Sequence, residues 1–206
     1  MKTPLFIAFE GIDGSGKSTQ AILLGQHLAT QGSKVYNTGE PSTGTIGQLL
    51  RMILTGEHKA DERVIAGLFI ADRLDHLLNN TDGIVKQLNE GHTVICDRFY
   101  FSSYAYQGTH MDMKWVIEAN AMSSLVKRPD VNIFVDVAPE VCLQRISSNR
   151  LQHELYETFD NLVKVRDNFF KAFEQLNDRE KIWIVDGNRP VAEVADEVKH
   201  YIDLNF

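Results

Sequence analysis

Residues Gly11-Ile12-Asp13-Gly14-Ser15-Gly16-Lys17-Ser18 carry the spacing Gly-x-x-x-x-Gly-Lys-Ser, and a short apolar run from Leu5 leads straight into them. An apolar-periodic segment begins at once afterwards, so the local order is strand, glycine loop, helix. Gly11, Gly14 and Gly16 let the backbone turn tightly and point successive N–H groups inward, with no Cβ obstructing a phosphate. The new helix adds its free N–H groups and positive dipole end at the same spot. Lys17 supplies a mobile point charge for β- and γ-phosphates, and the Ser18 hydroxyl suits Mg²⁺. With Ile12, Asp13, Ser15 and Thr19, these residues read as a nucleotide phosphate site.

Three further groups have types and spacing that could do chemistry. Asp97-Arg98 ends an apolar strand over Thr93–Cys96, which puts a carboxylate and a guanidinium at a strand end, as a functional pair or a structural one. Phe69 and Arg73 stand four apart on a helix and project from one face. A ring that stacks on a base, beside a planar donor for its carbonyl oxygen, is one use of that face. By spacing alone, a core position is the favoured reading of Phe69, since aromatics on helices usually are core. Arg145 and Arg150 lie near the polar stretch His153-Glu154-Leu155-Tyr156-Glu157, which composition alone reads as a solvated turn. Cys96 and Cys142 match no metal spacing, and His153-Glu154 lacks the second histidine of a zinc helix. Cys96 sits in an apolar strand as a buried thiol, and reduced thiols fit a cytosolic protein.

The elements that must position these residues follow from periodicity and punctuation. Ala21, Leu24 and Leu28 continue a helical face after the glycine loop until Gly32, and a second strand runs from Lys34 to Thr38. Ile46, Leu49, Leu50, Ile53 and Leu54 mark a helix, and Asp61 caps the next one, which runs to Leu78. A helix around Ile84 to Leu88 precedes the Thr93–Cys96 strand. The polar and aromatic run Ser102-Ser103-Tyr104-Ala105-Tyr106-Gln107-Gly108 follows, then one long helix from Asp112 to about Val126. Val131 to Val137 is a fourth strand, Pro139 opens a helix at its first position, Phe159 to Phe173 marks another, Lys181 to Val185 is a fifth strand, and Pro190 begins a terminal helix. Five strands alternating with helices predict a parallel sheet covered on both faces, with the loops after the strands along one edge.

The 206 residues, 43% of them hydrophobic, suit one domain with a substantial core. A net charge of −7 argues against a protein whose work is holding a nucleic acid backbone. No run approaches the length of a membrane span, and the early first strand predicts no signal peptide.

Taken together the residues resemble the thymidylate kinase family over almost the whole chain. The resemblance rests on Phe-Glu-Gly-Ile-Asp-Gly-Ser-Gly-Lys-Ser-Thr at 9–19, Glu40-Pro41, Leu50-Arg51, Phe69 with Arg73, Asp97-Arg98-Phe99, and the Ser102–Gly108 run. It implies a single-domain α/β P-loop NTPase fold, with a five-stranded parallel sheet flanked by helices and a mobile lid over about 146–157. It implies a phosphotransferase that uses ATP and Mg²⁺ to convert dTMP to dTDP in the cytoplasm, as a homodimer built through the 61–78 and 112–126 helices. Another deoxynucleoside monophosphate kinase, or a deoxynucleoside kinase, is the nearest alternative. A guanine-nucleotide switch would need an Asn-Lys-x-Asp stretch, which is absent.

The same resemblance carries roles to particular positions. Lys17, Arg98, Asp13 and a lid arginine serve the transfer, with Arg150 preferred to Arg145 because the phosphate loop has Gly14 where some members carry arginine. Arg145 otherwise joins the loop in binding ATP, and Ser18 and Asp97 serve the metal. Phe69 stacks on thymine, and Arg73 donates to its O4. Ser103 and Gln107 meet the base edge, Tyr106 walls the sugar, Glu40 lies near it, and Arg51 and Arg98 bind acceptor phosphate. Two positions depart from the family pattern. Gly39 stands where many bacterial members have arginine, so restoring it is expected to tighten acceptor binding if the turn accepts a side chain. Phe99 stands where tyrosine is usual.

Overall fold

In the computed structural model, residues 3–149, 155–156 and 158–206 are described. Five strands, β1 (Phe6–Glu10), β2 (Lys34–Gly39), β3 (His92–Asp97), β4 (Val131–Asp136) and β5 (Ile182–Asp186), form one parallel sheet in the order β2-β3-β1-β4-β5. Every residue of β1 is buried, because β3 and β4 flank it and helices cover both faces. Phe9 registers against Asp97 and Gly39 pairs with the same aspartate, so β1, β2 and β3 end level and deliver their loops to one edge. The strand order changes direction around β1. A crevice at the carboxyl ends of such strands is where ligands bind in open α/β sheets.

The helices are α1 (Lys17–Thr30), α2 (Thr45–Leu54), α3 (Glu62–Leu78), α4 (Ile84–Asn89), α5 (Tyr100–Tyr106), α6 (Met113–Ala119), α7 (Ala121–Val126), α8 (Pro139–Asn149), α9 (Phe159–Leu176) and α10 (Val191–Asn205). Asp61 caps α3 as expected, its carboxylate accepting from the Arg63 N–H at 2.9 Å. Three features differ from the sequence reading. Ser102–Tyr106 of the polar and aromatic run, which periodicity assigned to no element, lies in a helix, α5, whose seven residues are all buried, and Gln107–Gly108 continue into a short 3₁₀ turn. The aromatic rings of α5 hide the usual amphipathic pattern: Phe101 packs edge-on against Phe173 of α9 at 5.1 Å, and Phe99, just before α5, meets Phe6 at 5.1 Å. The expected long helix from Asp112 to Val126 is broken into α6 and α7 at Asn120, which turns inward, 1% exposed, and bonds the Val116 carbonyl and Arg73. Pro190 is the cap of α10 rather than its first residue.

Candidate active site

The phosphate loop joins β1 to α1 as a cradle of donors. Gly16, at φ 88°, occupies the cap position of α1 with no side-chain cap, so the first N–H groups of the helix stay available. Gly14 lies at φ 79°, and a Cβ there would meet the Cys142 carbonyl oxygen at 2.5 Å. The first turn of α8 therefore leaves no room for an arginine at this loop position. Lys17 is buried, with its ammonium 3.9 Å from Asp13. Burial lowers its pKa and neighbouring Arg98 adds to the effect, against Asp97, Asp13 and Glu10. The Ser15 hydroxyl is buried without a hydrogen-bond partner among the described residues. An unpartnered hydroxyl and a crowded ammonium are both relieved by an anion at this spot. Ile12 is core by its side chain, leaving only its backbone to the loop, where its carbonyl accepts from Ser15 N–H.

At the β3 end, the Ser18 hydroxyl donates to Asp97, whose second oxygen is buried and unpartnered among the described residues. One hydroxyl and one carboxylate beside a phosphate cradle fit Mg²⁺, which completes its oxygen shell with phosphates and waters. No group of three or more His, Cys, Asp or Glu side chains among the described residues could form an all-protein cage.

Arg98 follows at φ 70°, a left-handed conformation unusual for a residue with a Cβ. Its guanidinium donates to the Gly11 carbonyl at 3.0 Å, to Ser102 at 3.0 Å, to Tyr106 at 3.2 Å and to Asp13, and it lies 4.9 Å from the Tyr106 ring centre. Burial alone would raise the Asp13 carboxyl. The charges of Arg98 and Lys17 and the Tyr106 hydroxyl outweigh it and bring the pKa down to about 2. Glu10, fully buried at the end of β1, accepts from Phe99 N–H at 3.0 Å and Ser102 at 2.6 Å. Burial pushes its carboxyl up to about 7 against the pull of Ser102, Arg98 and Arg73.

A cleft opens beside Arg98 between α3, α5 and the 40–41 segment. Arg73, Phe69, Ser103, Tyr106, Gln107, Glu40 and Arg98 line it, which brings together the sequence-predicted acceptor residues other than Arg51. Arg73 is 1% exposed and saturated: Nε reaches Glu40 at 2.8 Å, Nη2 reaches Glu40 at 2.6 Å and Phe99 O at 3.2 Å, and Nη1 reaches Ser103 at 3.0 Å and Asn120. It serves as a structural hub as well as a cleft wall. Phe69 lines the cleft and also packs on the small apolar cluster of Leu50, Ile53 and Ile65, so its ring is both a cleft wall and a packing contact. The Gln107 side-chain amide oxygen, Oε1, is buried and unpartnered among the described residues. Phe99 is fully buried under the Arg73 guanidinium, 5.4 Å from ring centre to Cζ.

Arg51 approaches from α2 and donates to Ser42 O at 2.5 Å and to Pro41 O. It shares a second cleft with Lys17, Asp97 and Arg98. Gly39, at the end of β2, is not left-handed, but a Cβ there would lie 3.0 Å from Asp97 O and 3.3 Å from Asp97 Cβ. An arginine there would need Asp97, beside Ser18, to give by a few tenths of an ångström, so the expected gain depends on that aspartate yielding.

Arg145 faces the donor side. It donates to Ser15 O at 3.3 Å and Gly187 O at 3.1 Å, and it lines a cleft with Gly14 to Gln20 and Val191. Arg150, the preferred lid arginine, lies outside the described residues. Sequence reasoning passed over four residues here. Glu10 is a carboxylate ending an otherwise apolar strand, a signal in itself. Asp72 holds Ser42 through N–H and hydroxyl at 2.7 and 2.6 Å, and His76 holds Thr38 at 2.6 Å and Glu40 at 3.3 Å. Tyr156 donates to Glu62 at 2.7 Å while its ring meets Tyr106 at 5.8 Å.

The thymidylate kinase family model matches residues 9–198. A putative thymidylate kinase of Treponema pallidum is 35% identical over 200 residues, covering 96% of this chain and 94% of its own length. A probable thymidylate kinase of Pyrococcus horikoshii is 41% identical over 181 residues, 83% of each chain. The thymidylate kinase of Clostridium novyi is 34% identical over 210 residues, 98% of this chain and 100% of its own.

Proposed function

The chain belongs to the thymidylate kinase family, and from that premise we propose that it transfers the γ-phosphoryl group of ATP to dTMP, giving dTDP and ADP. The observation that carries this reading is Arg98: one guanidinium bonds both the phosphate loop, through Gly11 and Asp13, and the acceptor cleft, through Ser102 and Tyr106. A charge at that junction serves both substrates.

Phosphoryl transfer asks the protein for alignment and for positive charge on the oxygens in flight. Lys17 and the loop N–H groups hold the donor phosphates. Arg98 and Arg51 hold the acceptor phosphate, whose oxygen attacks, so no side chain need act as nucleophile. Phe69 covers one face of the thymine, and the unpartnered Gln107 oxygen suits its N3–H. Arg73 meets O4 by sharing a donor it now gives to Ser103 or Asn120. Tyr106 narrows the sugar end, disfavouring a 2′-hydroxyl. Bound Mg²⁺, held in part by Ser18 and Asp97, would neutralise phosphate charge. Arg145 belongs to ATP binding and Arg150 to the charge over the transferring group.

A homodimer through α3, α6 and α7 is supported by exposed apolar side chains on them: Val64 and Leu78 on α3, with Trp115, Met122 and Leu125 on α6 and α7, Leu125 by 75%. No helix among the described residues is long and apolar enough to cross a membrane, and both cysteines are free and buried, which supports a cytoplasmic setting. Steady-state phosphorylation of dTMP, dUMP, dGMP and thymidine side by side tests the acceptor. A preference for any of the other three over dTMP refutes it.

A further inference from the structure

Glu10 neither lines the cleft nor meets solvent, yet it sits at the end of the central strand beside Arg98, whose φ is left-handed, and bonds two residues of the cleft wall. We propose that Glu10 is a positioning residue for Arg98: its carboxylate holds the turn and the hydroxyl that aim the guanidinium at the transferring phosphoryl group. The inference rests on the role given to Arg98 above.

The left-handed φ at Arg98 turns the next amide, Phe99 N–H, away from the sheet and into the protein, where Glu10 accepts it at 3.0 Å. A buried N–H without that acceptor would favour an ordinary conformation, and the Arg98 side chain would leave with it. The second Glu10 oxygen takes the Ser102 hydroxyl proton at 2.6 Å. A hydroxyl has one proton to give, so the Ser102 oxygen is left as an acceptor toward Arg98, which donates to it at 3.0 Å. Glu10 thus fixes Arg98 twice, through its backbone and through its side chain. Only the ionised carboxylate, with two acceptor oxygens, does both; a protonated carboxyl turns one of them into a donor. A glutamine of the same shape satisfies one of the two donors and turns an N–H on the other.

The test compares Glu10→Gln, Ser102→Ala, Arg98→Ala and the Glu10→Gln/Arg98→Ala pair, with circular dichroism and thermal unfolding for each. Glu10→Gln and Ser102→Ala are each expected to lower kcat by about tenfold or more, with KM for dTMP and ATP moving less than about threefold. With Arg98 already removed, Glu10→Gln is expected to cost less than about twofold further. A residue that only stabilised the fold would lower Tm and leave kcat of the folded protein unchanged in either background. The proposal is overturned if both single variants keep kcat within about twofold while Arg98→Ala is crippled, or if the pair loses the product of its single losses. If Arg98→Ala itself turns over normally, the role of Arg98 falls and takes this proposal with it.

Discussion

Arg73→Ala is expected to strike the fold as hard as the substrate. The guanidinium and the Glu40 carboxylate are each 1% exposed, and all five N–H donors have acceptors on α3's neighbours, the 40–41 segment, α5 and Asn120. Truncation leaves a buried carboxylate with His76 at 3.3 Å as its remaining side-chain partner. Breaking such a pair from one side costs about 3–5 kcal/mol. In a chain of this size each kcal/mol moves Tm by roughly 2–4 °C, so a fall on the order of 10 °C is expected. Thermal unfolding followed by circular dichroism reads this directly, and dTMP saturation of the surviving enzyme reads the base contact separately. Removing both charges, as Glu40→Ala/Arg73→Ala, should cost less than the two single losses added, because neither is then left alone. A Tm within about 2 °C of the parent with a tenfold rise in KM for dTMP would refute the hub: the guanidinium would then be a free substrate ligand.

Phe69→Ala should raise KM for dTMP about tenfold, as loss of a stacked ring implies, and also lower Tm, because Phe69 packs on Leu50, Ile53 and Ile65. An unchanged KM would leave it core alone. Gly39→Arg is expected to lower activity and raise the Mg²⁺ concentration needed, since its Cβ presses on Asp97; unaltered Mg²⁺ dependence would show that β2 yields instead. Arg145→Ala should raise KM for ATP with kcat nearly constant, and a collapse of kcat would move it to the transfer itself. Glu10 holds its proton more tightly folded than unfolded, so its favourable contribution is complete below pH 4.5 and is lost as pH rises through about 7. The parent should therefore lose about 2–3 kcal/mol relative to Glu10→Gln between pH 5 and 8, read by urea unfolding at both values, and a constant difference would refute the raised carboxyl.

The sequence alone determined what is local. Gly-x-x-x-x-Gly-Lys-Ser after an apolar run specifies its own strand, turn and helix start, because φ > 0 and missing Cβ atoms are properties of the residues themselves. The strand-helix alternation likewise fixed a parallel sheet and the edge on which its loops gather. Phe69 and Arg73 were legible as neighbours because 3.6 residues per turn sets them on one face. Tertiary structure decided what depends on residues far apart in the chain. That α5 is a helix was invisible, since burial on all sides erases amphipathic period. At the break, the Asn120 amide reaches Val116 O and Arg73, 47 residues away, a partner that no local pattern in the sequence announces. Gly14 excludes an arginine because α8 arrives from residue 142. Glu10 reads as one acid in an apolar strand until Phe99 and Ser102, about 90 positions on, turn their donors toward it. Spacing shows what a side chain is able to reach; only packing decides which donors and acceptors are spent before a substrate arrives.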